Sequence, residues 1–163
     1  MHKGIRVSLV AVAVISAVFA AGFAVAATVS PSFVNSGTTR YAMVSAEDAI
    51  TTQSTSFVDV PGLSSVVHIP SGKVADLIID FSGEINTCDG TLGRATIDGA
   101  AASPSSTQLM WNLNGGAESH AFTFYARGVG SGSHTVTIQW AGVSSCNHQF
   151  MSARSMIITA NIH

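Results

Sequence analysis

Charge is what this chain has least of. Charged side chains make up 10% of its 163 residues, against about 25% in an average domain. Serine and threonine carry the solubility instead. Beyond residue 27 there are five basic side chains (Arg40, Lys73, Arg94, Arg127, Arg154) against nine acidic ones, a net charge of about −4. With no basic patch, binding to nucleic acid or to an anionic membrane has no electrostatic footing. No stretch keeps a helical period, and there are no internal repeats. A Gly-x-Ser-x-Gly elbow, a phosphate loop and paired carboxylates in a glycosidase setting are all missing, which argues against an enzyme and implies no cofactor.

What is present begins with an export signal. Lys3 and Arg6 make a short positive start, and Val7 to Ala21 is apolar without a single charge. Ala24-Val25-Ala26 then offers the small residues a signal peptidase reads. The pattern predicts cleavage after Ala26 or Ala27 rather than a retained anchor. No paired arginines precede the run and no cysteine ends it, so the general secretory route without lipid attachment is expected. Residues 28–38 read as a flexible leader, and one domain of residues 39–163 follows. No second apolar stretch is seen, so the mature protein is expected to be secreted and soluble.

Two cysteines, Cys88 and Cys146, accompany that signal. In an oxidising compartment a disulfide is the default for such a pair. Closing a 58-residue loop is worth about 4 kcal/mol in the chain-entropy picture.

The domain alternates short period-two runs with turn chemistry. Residues 56–60 read as a strand that meets a type II turn at Pro61-Gly62, and residues 65–69 follow as another. The run 74–85 is the longest strand, with Leu77, Ile79, Phe81 and Ile85 on one face and Asp76, Asp80 and Glu84 on the other. Residues 94–98 and 108–113 come next. Residues 120–127 and 134–141 then flank Gly128-Val129-Gly130-Ser131-Gly132, which reads as a hairpin loop. Regular pairing there sets His134 opposite Ala126 and His120 opposite Trp140, with the two histidines roughly 20 Å apart. Residues 151–162 close the chain. Residues 40–46 suit either a ninth strand or a helix turn.

About eight strands at ten-residue spacing, each with one apolar face, predict two packed antiparallel sheets. Both cysteines fall in turns, unlike those of an immunoglobulin domain. A jelly roll is the first expectation and a fibronectin-like sandwich the second.

The runs Phe57-Val58-Asp59-Val60-Pro61-Gly62-Leu63, Ala75-Asp76-Leu77 leading to Phe81-Ser82, Ser119-His120-Ala121-Phe122-Thr123 and Gly132-Ser133-His134-Thr135-Val136 carry a resemblance. Over residues 55–163 the chain resembles small exported actinobacterial β-sandwich proteins. These motifs mark turns and core positions, so the resemblance implies the fold and no activity.

Candidate sites follow from composition and parity. Asp76 and Asp80 stand some 13 Å apart along one strand face, too far for a single calcium ion without loop ligands. Cys88, Cys146, His120 and His148 could gather as a zinc set, but the spacing matches no zinc motif and export favours the bridge. Tyr125 and Arg127 share the face opposite Phe122 and Phe124, the types that dominate interface energy. The plainer alternative is that Arg127 pairs with Asp76, Asp80 or Asp98. Trp111, with Asn112 and Asn114, forms a second aromatic-and-amide group, although Trp111 shares the parity of the apolar Leu109 and Leu113. Trp140 belongs to the core with Val136 and Ile138. The expected function is a secreted, non-catalytic module that binds a glycan or protein, or itself, at the cell exterior; the rival is a secreted hydrolase with an unrecognised site.

Overall fold

The computed structural model describes residues 39–110, 116–144 and 149–163. The signal peptide expected over residues 1–27 and the leader expected over residues 28–38 lie outside them, as do Trp111, Asn112, Asn114, Cys146 and His148. Every regular element among the described residues is a strand: β1 (Thr39–Ala46), β2 (Ile50–Thr52), β3 (Val58–Ile69), β4 (Ala75–Thr87), β5 (Thr91–Ile97), β6 (Ala100–Ala101), β7 (Thr107–Met110), β8 (Glu118–Val129), β9 (Gly132–Gly142) and β10 (Gln149–Ile162).

Alternation decides which way each strand faces. In β4 the buried positions are Ala75, Leu77, Ile79, Phe81 and Ile85; in β10 they include Met156, Ile158, Ala160 and Ile162. The segment that suited either strand or helix is β1, which buries Ala42 and Ala46 by the same rule. Trp140, Val136 and Ile138 of β9 are buried with Phe124 of β8. The inner faces of two sheets meet in this one core.

One sheet has the order β1–β10–β4–β8 with β2 also on β10; the other has β3–β9–β5–β6 with β7 also on β5. β1 and β2 lie end to end along β10, covering its residues 154–161 and 149–151. β6 and β7 lie end to end along β5 in the same way. Counting each such line as one gives eight strands. The first then pairs with the last, the second with the seventh, the third with the sixth and the fourth with the fifth. That is a long hairpin rolled into two sheets, the jelly roll.

This topology corrects two sequence expectations. Residues 120–127 and 134–141 do not form a hairpin: β8 pairs with β4, whereas β9 pairs with β3 and β5. His120 is opposite Gly83, Ala126 is opposite Leu77, and Trp140 is opposite Val58 and Gly93. The glycine-rich loop therefore crosses between sheets. Pro61-Gly62 likewise does not separate two strands. It is a bulge within β3, where the register on β9 shifts between Asp59 and Ser64. Gly62 has φ +82°, the left-handed value that glycine adopts without strain, so the turn chemistry was right and its scale wrong.

An arginine holds that bulge. Arg154 sits where β10 has its own irregularity, between Met151 and Arg154 in its register on β4. Only 3% of it is exposed. Its Nε donates to the Pro61 carbonyl at 2.9 Å, and its Nη1 donates to the carbonyls of Asp48 and Ser152. Its Nη2 pairs with Asp48 Oδ1 at 3.0 Å. One buried cation thus ties β10, the β1–β2 connection and β3 together.

Candidate functional site

Strand register carries the surface chemistry on the outside of the β1–β10–β4–β8 sheet. Following the pairings across it, Tyr41 stands beside Thr159, Thr159 beside Ile78, and Ile78 beside Tyr125. The adjacent row runs Met43, Ile157, Asp80, Thr123. The next is Ser45, Ser155, Ser82, Ala121. Adjacent strands are about 4.8 Å apart, so the rings of the outer strands spring from points about 14 Å apart.

These rows gather exposed apolar surface. Tyr41, Met43, Ile78, Tyr125 and Ile157 are each between 38% and 49% exposed. The chain has two tyrosines, and both lie in one row of this face, at its two ends. Parity placed Tyr125 outward correctly. It missed Tyr41 because residues 40–46 were ambiguous, although the alternation of Ala42, Val44 and Ala46 with Tyr41, Met43 and Ser45 held the signal.

Polar groups on the face are fixed by their own sheet. Asp80 Oδ1 accepts a hydrogen bond from the Thr123 hydroxyl at 2.6 Å, and Asp76 Oδ1 accepts one from the Gly128 amide at 2.8 Å. Glu84 accepts one from Ser152. Arg127 is exposed at the far end of β8. Among the described residues the side-chain charge contacts are His120–Glu118, His134–Asp98 and Arg154–Asp48, so Arg127 pairs with none of Asp76, Asp80 and Asp98. The serine row itself, Ser45, Ser155 and Ser82, lines a shallow, open cleft of about 480 Å³ together with Glu84 and Ser119. Histidine is not among the residues of that lining.

The histidines sit apart. His134 Nδ1 is 2.7 Å from Asp98 Oδ2, and its Nε2 is 2.9 Å from the Gly130 carbonyl. Both facing atoms are acceptors, so the ring that satisfies both carries two protons. Asp98 Oδ1 also accepts from the Thr135 amide at 2.8 Å. The bond to Asp98 raises the His134 pKa above its ordinary 6.5, and the bond from His134 holds Asp98 below 3.8. This unit clips the β5–β6 turn to the start of β9. His120, at the opposite end of β8, has Nε2 3.5 Å from Glu118 Oε2. With Cys146 and His148 outside the described residues, the zinc set is represented only by Cys88 and His120. Among the described residues no three histidine, cysteine or acidic side chains gather as a metal site.

This face offers two rings, three further apolar side chains and carboxylates held by hydrogen bonds from their own sheet. A scan against protein-family models and a search of the curated proteins both return no match.

Proposed function

We propose that this chain is an exported, non-catalytic jelly-roll module that recognises a partner at the cell exterior through the outer face of the β1–β10–β4–β8 sheet. The observation that carries this reading is the concentration of Tyr41, Met43, Ile78, Ile157 and Tyr125 in two consecutive rows of one face. Single exposed apolar residues are ordinary, but a contiguous patch marks an interaction surface. Tyrosine, methionine and arginine are also the types enriched where proteins meet.

Export and the disulfide belong to the same proposal. Lys3, Arg6, the apolar run and Ala24-Val25-Ala26 support removal of the first 26 or 27 residues. A bridge between Cys88 and Cys146 is supported by how the chain is anchored around them. Thr87 pairs with Gln149 and Thr91 with Gly142, so both cysteine-bearing connections spring from the same end of the sandwich. No cysteine among the described residues is free.

Replacing Tyr125 and Arg127 together with serine tests the recognition face. Both side chains are exposed, so stability should stay within about 0.5 kcal/mol of the parent. Retention of the partner captured from extracellular material by the parent domain should be lost. Full retention by the stably folded double variant would remove this face as the recognition surface.

A further inference from the structure

Resting on that reading, we infer that the partner is an extended polypeptide segment of the pattern basic-x-apolar-x-basic, lying along β4 between the two tyrosines. The face that receives it is the apolar one already described; its charge says what can cover it. Outward positions along β4 are Asp76, Ile78, Asp80, Ser82, Glu84 and Asn86, so the apolar Ile78 is bracketed by two carboxylates. Each carboxylate is held by an uncharged donor, from Gly128, Thr123 and Ser152 respectively. Among the described residues the ion pairs are His120–Glu118, His134–Asp98 and Arg154–Asp48, so none of the three β4 carboxylates is neutralised by a basic side chain. The cation of this face, Arg127, stands at its corner.

An acidic, apolar face repels nucleic acid, anionic lipid and acidic glycans, and attracts a cationic partner. Methionine and two isoleucines beside the rings offer apolar contact of the kind that protein side chains fill. Spacing supplies the pattern. Asp76 and Asp80 are four residues apart in a strand, about 13 Å. An extended segment with the same rise brings its residues i and i+4 over the two carboxylates and its residue i+2 over Ile78. Tyr41 and Tyr125 stand as walls on the outer strands, about 14 Å apart, wide enough for one chain and its side chains.

The test uses the mature domain and three uncharged-end peptides. The first has lysine, threonine, leucine, threonine and lysine in that order; the second has the same composition with the lysines adjacent; the third has glutamate in place of lysine. Titration followed by amide shifts should show saturable binding of the first, weakened by salt, with shifts centred on β4. Replacing Asp76 and Asp80 by asparagine keeps the acceptor oxygens used by Gly128 and Thr123 while removing charge. It should weaken the first peptide about tenfold, the sum of two partly exposed pairs. Equal binding of the first two peptides, no binding of the first, or an unchanged affinity in the asparagine variant would overturn the inference. If a partner is then still lost with Tyr125 and Arg127, the recognition face stands and its occupant is of another class, a neutral glycan included. If it is retained, the face itself falls.

Discussion

At the scale of single residues, the His134–Asp98 contact makes stability depend on pH in a defined direction. His134 has its folded pKa raised, so its contribution is complete below the unfolded value of 6.5 and is lost as pH rises through the folded value. Asp98 has its folded pKa lowered, so its contribution is present above 3.8 and is lost as pH falls through the folded value. The pair is therefore strongest between those two ordinary values. Replacing His134 with glutamine should lower the urea midpoint most near pH 5.5, with the difference shrinking as pH is taken to 8.5. A difference that grows toward alkaline pH would show that the ring is held neutral. Parity made Trp140, Val136 and Ile138 legible as core, because a strand that buries one face exposes the other. The histidine contact was not legible, since Asp98 and His134 are brought together by pairing of β5 with β9, which no local pattern encodes.

At the scale of elements, the two irregular strands explain each other. The bulge in β3 frees the Pro61 carbonyl from the ladder, and the irregularity in β10 places Arg154 to receive it. Arg154 has the parity of Met156 and Ile158, an inward arginine among core residues, which was the one sequence sign of this clamp. Replacing it with alanine takes the donor from the part-buried carbonyls of Pro61, Asp48 and Ser152. Unfolding by denaturant should show a loss of about 2–4 kcal/mol; a loss below about 1 kcal/mol would mean that water replaces the guanidinium at no cost. The mistaken hairpin has a physical reason too. Phe122, Phe124 and Ala126 share even parity with Val136, Ile138 and Trp140, and that holds whether β8 and β9 are neighbours in one sheet or face each other across the core. A short glycine-rich connection serves either arrangement, so local sequence cannot choose between them.

For the whole molecule, the antiparallel two-sheet class and the jelly-roll expectation were legible from alternation and turn spacing. The strands were not all divided correctly: residues 56–60 and 65–69 belong to one strand, and residues 40–46 are a strand of their own. The proposed recognition face was legible only by half. Tyr125 could be placed outward from its own strand, but its alignment with Tyr41 depends on β10 and β4 lying between them, a consequence of rolling the first strand against the last. The claim that this face meets the partner is tested most directly by hydroxyl-radical footprinting of the domain, free and with its captured extracellular partner. Tyr41, Met43, Tyr125 and Ile157 should lose reactivity together on binding, while exposed Val58 and Val66 of β3, in the other sheet, keep theirs. Protection of Val58 and Val66 with Tyr41 and Tyr125 unchanged would contradict the account.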